Sequence, residues 1–221
     1  MFFLQLLNFR VRLSNIIVNF YAPIKIRRGE SVPKLCVVFP GRHYSCDRSL
    51  LYYPSKIRRD KGYKIVRLEY NEPFEVVIEP PFEDFKRESL QYIEKHLERI
   101  DFDSYESVIF LTDSIGGTFA GRYRETHHRE KAEIVFISPL SSAIPYFLPS
   151  DLILSSDNDP LFPNARDALI NFGQSYIFPY RSHDFEVKDN SRYNLSTRTN
   201  AVNIIEKYIS ALEQNGEKTN E

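Results

Sequence analysis

The sequence predicts a three-layer α/β/α fold with a mostly parallel, twisted sheet, and three observations favour it. Short, continuously apolar segments recur along the chain, as is typical of strands that are buried on both faces. Segments with helical periodicity separate them, and this alternation produces a parallel sheet covered by helices on both sides. The chain has 221 residues, of which 42% are hydrophobic and 27% charged, a balance that suits one globular core.

The elements can be placed in order along the chain. Phe2 to Phe20 is rich in Phe, Leu, Ile and Val and is predicted to form two early antiparallel strands. Apolar runs predict buried strands at Leu35–Phe39, Tyr63–Tyr70, Ser107–Leu111, Glu133–Ile137, Asp151–Leu154 and Ser175–Phe178. Periodicity predicts helices at Arg48–Lys61, Pro163–Phe172 and Leu195–Leu212. It also predicts a helix that begins at Asp84 and has Ile100 in its apolar face, and one that follows Ser114 and ends at about Tyr123. Residues 213–221 are predicted to be a frayed polar tail of a single domain that spans 1–221.

The composition argues against several classes of partner. The 29 basic and 30 acidic side chains nearly cancel, so no global field attracts nucleic acid or anionic lipid. No stretch approaches the ~20 apolar residues that a membrane-spanning helix needs. The two cysteines, Cys36 and Cys46, do not make a disulfide framework. We therefore expect neither nucleic acid nor a membrane as a partner, and a reducing cytoplasm as the location.

Ser114 is the strongest candidate for a chemically active side chain. It lies between a predicted buried strand and a predicted helix, in the segment Thr-Asp-Ser-Ile-Gly-Gly over residues 112–117. A nucleophilic serine in that position needs a sharp turn that exposes its oxygen above the sheet, and small neighbours relieve the crowding. The alternative is a helix N-cap serine followed by two glycines that serve packing.

A serine of this kind needs a histidine and a carboxylate further along the chain. Among the five histidines only His183 lies well beyond Ser114, after the last predicted strand, where a general base can reach the serine. Two aspartates lie between them, just after the strand that begins at Asp151. Asp159 precedes a proline and is favoured as the acid that orients the histidine, and Asp157, which could instead cap the turn, is the fallback.

These segments together resemble the α/β-hydrolase superfamily, in particular its small bacterial members without a cap domain. The resemblance covers about residues 35–212 and rests on Val-Phe-Pro-Gly at 38–41, on Ser114, on Asp-Asn-Asp-Pro at 157–160 and on His-Asp-Phe at 183–185. It implies that the backbone N–H groups of Arg42 and Ile115 form an oxyanion hole, and it supports Asp159 as the triad acid. Two departures stand out, because Thr112 replaces the usual glycine and Asp113 adjoins the nucleophile, where its side chain is expected to point outward.

The resemblance implies a serine hydrolase that cleaves a small ester, thioester or amide and uses neither a metal nor an organic cofactor. Only thirteen residues, Ser138 to Ser150, separate two predicted strands, which is too short for a helical cap, so the site should be open. Gly41, Tyr44 and Tyr146 are candidate contacts for the acyl substrate. Three alternatives remain: an acyltransferase that uses the same triad, a non-catalytic binding protein of the same fold, and a nucleotide-binding domain, although Gly116-Gly117 is not a Gly-x-Gly-x-x-Gly motif.

Overall fold

A computed structural model describes residues 33–70 and 81–218, and the side chains of these residues up to 214. The two antiparallel strands predicted within Phe2–Phe20 lie outside the described residues. Six strands are present in the described part: β1 (Lys34–Phe39), β2 (Tyr63–Arg67), β3 (Ser107–Asp113), β4 (Ala132–Ile137), β5 (Leu152–Ser156) and β6 (Ser175–Phe178). Five α-helices alternate with them: α1 (Ser49–Asp60), α2 (Phe82–Leu97), α3 (Ile115–Thr126), α4 (Ala165–Leu169) and α5 (Ser191–Lys218).

The six strands form one sheet in the order β2-β1-β3-β4-β5-β6, and every pair is parallel. The first described strand, β1, lies second from one edge, with β2 outside it, and β3 to β6 follow one after another on its other side. This arrangement places the carboxyl ends of β1, β3, β4, β5 and β6 along one edge. Loops that leave this edge carry the candidate site residues, as is usual for open parallel sheets.

Helices cover both faces, so the predicted three-layer architecture is confirmed. Alternate side chains of each strand point to opposite faces, which splits the core in two. On one face Val37, Phe110 and Phe136 pack with α2, α3 and α4, and on the other Val38 and Ile109 pack with α1 and α5. Cys36 and Cys46 are buried free thiols, and burial raises the pKa of each to about 12.

Most helix boundaries differ from the predicted ones by a few residues, and two of the differences have a local cause. The helix predicted over Pro163–Phe172 is confined to Ala165–Leu169, because Asn164 adopts a left-handed backbone conformation with φ of 59°. Helix α5 extends past Leu212, where the predicted helix ends and the predicted polar tail begins, to Lys218. Glu213 holds these last turns, since its carboxylate pairs with the buried Arg58 guanidinium of α1 at 3.4 Å.

The connection between β4 and β5 carries a single short 3₁₀ helix, Ser141–Tyr146, and no cap. Among the described residues no helix combines the length and the apolar character that crossing a membrane would require.

Candidate active site

The backbone at Ser114 makes a sharp turn between β3 and α3. Its φ of 51° and ψ of −122° are far from both strand and helix values, and a non-glycine residue rarely adopts them. The Ser114 N–H donates to the Ile137 carbonyl of β4 at 2.9 Å, which ties the turn to the neighbouring strand. As a result the Ser114 side chain stands at the edge of the sheet, half-buried and facing a cavity.

Two glycines allow α3 to begin directly after this turn. A Cβ on Gly116 would lie 2.4 Å from the Phe39 carbonyl oxygen and 2.7 Å from that of Pro40, closer than any real Cβ contact. A Cβ on Gly117 would lie 3.3 Å from the Thr112 Oγ1 and 2.8 Å from the Phe136 ring. Gly116 therefore lets the helix approach β1, and Gly117 leaves room for the side chain of Thr112.

This room explains how the turn accommodates Thr112 in place of the usual glycine. The Thr112 side chain is fully buried, and its hydroxyl donates to the Val135 carbonyl at 3.0 Å. The hydroxyl is thus satisfied within the β3–β4 pair and does not approach the Ser114 oxygen. The departure from the family pattern leaves the geometry of the turn intact.

The structure brings the three predicted triad residues together. The His183 Nε2 lies 2.9 Å from the Ser114 Oγ, and the Nδ1 on the other side of the ring lies 2.7 Å from the Asp159 Oδ2. The other oxygen of Asp159 accepts the Leu161 N–H at 2.8 Å, and Asp159 is only 4% exposed. Asp159 is therefore both buried and fixed in orientation.

The two aspartates that the sequence left open have different positions. Asp157 is exposed, pairs with the Arg166 guanidinium at 3.0 Å and accepts the Tyr180 N–H. It caps the loop after β6 and makes no hydrogen bond to the imidazole. Asp159 is the one whose carboxylate contacts His183.

The loop that carries His183 is held at several points. The Ser138 hydroxyl donates to the His183 carbonyl, and the Ser156 hydroxyl donates to the Ser182 carbonyl at 2.9 Å. Arg181 is buried, donates to the Thr197 hydroxyl and to the Pro179 carbonyl, and lies over the Tyr193 ring. The burial of Arg181 could not be predicted, because nothing in the sequence of a polar loop distinguishes a buried arginine from a solvated one.

The charges around His183 favour its protonated form. Burial lowers its pKa, but the hydrogen bond and charge of Asp159, together with the charges of Asp113 and Asp184, outweigh this and raise the pKa above 6.5. Opposite charges stabilise an imidazolium, the species that forms when the ring takes a proton from a serine.

Asp113 is where the structure departs from the sequence-based expectation. Its side chain was expected to point outward, but it is only 5% exposed and lines the cavity beside Ser114. One of its carboxyl oxygens lies so close to Gly41 that a Cβ on residue 41 would be 2.5 Å away from it, which explains why this position is a glycine. Burial raises the pKa of Asp113 to about 8, with smaller contributions from the surrounding charges.

A cavity of about 490 Å³ opens in front of Ser114 and contains most of the predicted contact residues. Gly41, Arg42, Tyr44 and Ile115 all line it, and the Tyr44 hydroxyl accepts the Leu50 N–H at 3.1 Å. Tyr146 does not line it, because this side chain packs against α3 at Gly121, where a Cβ would lie 2.4 Å from the Tyr146 Cβ. Tyr146 therefore lies outside the cavity in which a substrate contact was predicted for it.

Three apolar lining residues were missed from the sequence. Phe82 at the start of α2, Leu140 after β4 and Leu161 after β5 add an apolar wall to the cavity. They come from three separate connections, so only the folded chain brings them together. Within the described residues no three His, Cys, Asp or Glu side chains are grouped as a metal site would require.

No family model matches the sequence, and no curated protein matches it either. Several solved structures, however, are similar to it in fold. A serine hydrolase homologue from Coxiella burnetii aligns with a TM-score of 0.53 and 13% identity over 79% of this chain and 85% of that one. A serine hydrolase without a lid from Xanthomonas campestris aligns with a TM-score of 0.54 and 15% identity over 82% and 85%.

A protein of unknown function from Agrobacterium tumefaciens aligns with a TM-score of 0.54 and 12% identity, over 83% of this chain and 88% of that one. At such identities the similarity concerns the fold, which is the parallel sheet with flanking helices described above. The chain therefore has the α/β-hydrolase fold, and residues 33–70 and 81–218 contain no cap domain.

Proposed function

We propose that the protein is a serine hydrolase that cleaves a small ester, thioester or amide through an acyl-enzyme. The observation that carries this proposal is the continuous chain of hydrogen bonds from Ser114 through His183 to Asp159, at 2.9 and 2.7 Å. It joins three residues whose order along the chain also fits this fold. The names of the structural neighbours, two of which are described as serine hydrolases, support the same activity.

In the proposed reaction the Ser114 oxygen attacks the carbonyl carbon while His183 takes its proton through Nε2. The carbonyl oxygen becomes an anion and the carbonyl carbon becomes tetrahedral. His183 then returns the proton to the leaving group, which leaves the acyl group on Ser114. A water that gives one proton to His183 then attacks this acyl-enzyme. The bond between the acyl carbon and the Ser114 oxygen breaks, His183 returns the proton to that oxygen, and the acid is released. Asp159 holds the ring with Nδ1 protonated and stabilises the imidazolium.

The oxyanion would be stabilised by the backbone N–H groups of Ile115 and Arg42. Ile115 is the first residue of α3, and the first N–H groups of a helix have no acceptor within the helix. The positive end of the helix dipole lies at the same place and favours the developing charge. Arg42 lines the cavity on the opposite loop, immediately after Gly41.

The apolar wall formed by Phe82, Leu140 and Leu161 would receive the hydrocarbon part of the substrate. Such a wall, open to solvent at Leu161, which is 51% exposed, suits a short acyl or alcohol group.

Hydrolysis of 4-nitrophenyl butyrate by wild type and by Ser114→Ala tests this proposal. Ser196→Ala, which removes an exposed hydroxyl on α5, is the matched control. We expect turnover by wild type and by the control, and a loss of more than about 10³-fold in kcat for Ser114→Ala. Equal turnover by wild type and Ser114→Ala would refute the proposal.

A further inference from the structure

The proposed mechanism leaves one buried acidic group at the cavity unused, and this group is Asp113. Its carboxyl lies close to the nucleophile and to Gly41, which is in the loop that joins β1 to α1. A Cβ on Gly41 would meet the Asp113 Oδ2 at 2.5 Å and the Ser114 Cβ at 3.3 Å. Asp113 also lines the cavity itself. A substrate bound at Ser114 would therefore pass close to this carboxyl.

The Asp113 carboxyl is unpartnered within residues 33–70 and 81–218. No N–H or O–H group of this part of the chain donates to its oxygens, and no cation there pairs with it, although the residue is only 5% exposed. By contrast, Asp151 and Asp159, which are equally buried, each accept several hydrogen bonds. The small exposed part of Asp113 faces the cavity, so a ligand there can donate a hydrogen bond to a carboxyl oxygen that no protein group occupies.

The neighbours of Asp113 explain which partner would suit it. The charged groups that act on it are the imidazole of His183 and the carboxylates of Asp159 and Asp184. Arg42 also lines the cavity, but its guanidinium lies over the Phe82 and Phe85 rings of α2, at 5.6 and 5.3 Å from their centroids. The carboxylates make the surroundings of Asp113 unfavourable for a second anion.

The preference for a donor holds in both protonation states of the carboxyl. Burial raises the pKa of Asp113 to about 8, so its protonated and its ionised forms both matter in the pH range in which a serine hydrolase works. A protonated carboxyl keeps a carbonyl oxygen that accepts a hydrogen bond, and an ionised one accepts through both oxygens. A hydroxyl on the substrate can therefore bind to Asp113 throughout the working range of a serine hydrolase.

We propose that Asp113 is a specificity-determining residue, whose buried, unpartnered carboxyl at the cavity selects acyl groups that carry a hydroxyl next to the scissile carbonyl. The proposal rests on the proposed hydrolase function. The hydroxyl would donate to the Asp113 carboxyl while the carbonyl carbon lies at the Ser114 oxygen. Asp113 takes no part in proton transfer, so its effect is on the choice between substrates.

The test compares two 4-nitrophenyl esters, of 2-hydroxybutyric acid and of butyric acid, which differ in one hydroxyl. The quantity measured is kcat/KM for the 2-hydroxybutyrate ester divided by kcat/KM for the butyrate ester, because the fraction of correctly folded protein cancels in this ratio. Asp113→Leu removes the acceptor with little change in size, and we expect the ratio to fall about five- to tenfold from the wild-type value. Asp113→Asn keeps an acceptor oxygen, and we expect its ratio to stay within threefold of wild type.

Asp184→Leu is the matched control, because Asp184 lines the same cavity but is exposed. We expect this variant to keep the wild-type ratio within threefold. A ratio for Asp113→Leu that stays within threefold of wild type, or a loss of the preference in Asp184→Leu instead, would overturn the assignment of Asp113 while leaving the hydrolase function in place. A wild-type protein that hydrolyses neither ester would overturn the hydrolase function, and this proposal with it.

Discussion

At the scale of single residues, the site depends on how the environment of His183 sets its basicity. The ring is half-buried, which by itself would favour the neutral form. The Asp159 carboxylate at 2.7 Å reverses this balance, with help from two further aspartates. A base with a raised pKa accepts a proton from a serine hydroxyl more readily but is neutral only at higher pH.

We predict that kcat/KM for 4-nitrophenyl butyrate rises with pH through an apparent pKa above 6.5, because the raised pKa of His183 keeps the base protonated below it. In Asp159→Asn the acid limb should move to lower pH, since the main cause of the raised pKa is gone, and the rate should fall by about 10⁴-fold. The pH profile of each protein is the measurement.

Asp157→Asn is the control for this prediction, because Asp157 is exposed and bonds to Arg166 and the Tyr180 N–H. Its profile should match that of wild type. An acid limb that does not move in Asp159→Asn would show that the carboxylate does not act on the base.

At the scale of the elements, the close approach of α3 to β1 places Ser114 beside the loop that carries Gly41 and Arg42. Gly116 makes this possible, because a Cβ there would strike the backbone carbonyls of Phe39 and Pro40, which cannot rotate away. The helix and the strand must separate if any side chain is added.

We predict that Gly116→Ala destabilises the fold. Overpacking against backbone costs about 1–3 kcal/mol or more, which exceeds the gain of about 1 kcal/mol in helix propensity. For a domain of this size the Tm should fall by several degrees, and kcat should fall as Ser114 and the Arg42 loop move apart. Thermal unfolding and ester hydrolysis measure the two effects.

Gly173→Ala provides the comparison, because a Cβ on Gly173 would have no heavy atom within 4 Å. Its Tm and kcat should equal those of wild type. Equal behaviour of the two alanine variants would mean that α3 and β1 are not in the close contact described above.

The anchor between the His183 loop and α5 also belongs to this scale. The Arg181 guanidinium donates to the Thr197 hydroxyl through two nitrogens, at 3.2 and 3.0 Å, and its centre lies 3.8 Å from the centroid of the Tyr193 ring. A lysine cannot reproduce this fork of donors or the stacking. Arg181 is thus a positioning residue for His183.

We predict that Arg181→Lys lowers kcat for 4-nitrophenyl butyrate several-fold and leaves KM nearly unchanged, because the base is displaced while the apolar wall is not. Arg87→Lys, at an exposed ion pair with Asp84 far from the loop of His183 in the sequence, is the control and should change neither constant, since such pairs contribute about 0–1 kcal/mol. An effect of Arg181→Lys on KM alone would contradict the positioning role.

At the scale of the whole molecule, one buried ion pair joins three parts of the fold. The Arg124 guanidinium of α3 pairs with both oxygens of Asp151, at 2.6 and 2.8 Å, just before β5 begins. The same carboxylate accepts the N–H groups of Ile134 in β4 and of Leu148 in the connection between them. Helix, strand and loop are thereby held by one fully satisfied network.

We predict that Asp151→Ala destabilises the protein by about 3–5 kcal/mol, because it leaves the buried Arg124 charge without a partner. Chemical denaturation of wild type and variant gives this difference. Glu83→Ala, which breaks the exposed pair between Glu83 and Lys86, should cost less than about 1 kcal/mol. Similar costs for the two variants would contradict the structural role given to Asp151.

Much of this architecture could be predicted from the sequence, because strands buried on both faces have an unmistakable apolar pattern. The spacing and order of Ser114, Asp159 and His183 likewise predicted that they meet. The direction of Asp113 could not be predicted, because it depends on the strained backbone at Ser114. The contact of Tyr146 with Gly121 depends on tertiary packing between the 3₁₀ helix and α3, for which local sequence carries no signal.

The central claim is that Ser114 is a nucleophile activated by His183, and a fluorophosphonate probe tests it most directly. Intact-mass spectrometry should show one adduct on wild type, which peptide mapping places on Ser114. Ser114→Ala should take no adduct, and His183→Ala should react far more slowly. A wild-type protein that takes no adduct, under conditions that label a known serine esterase, or that takes it on another residue, would contradict the account.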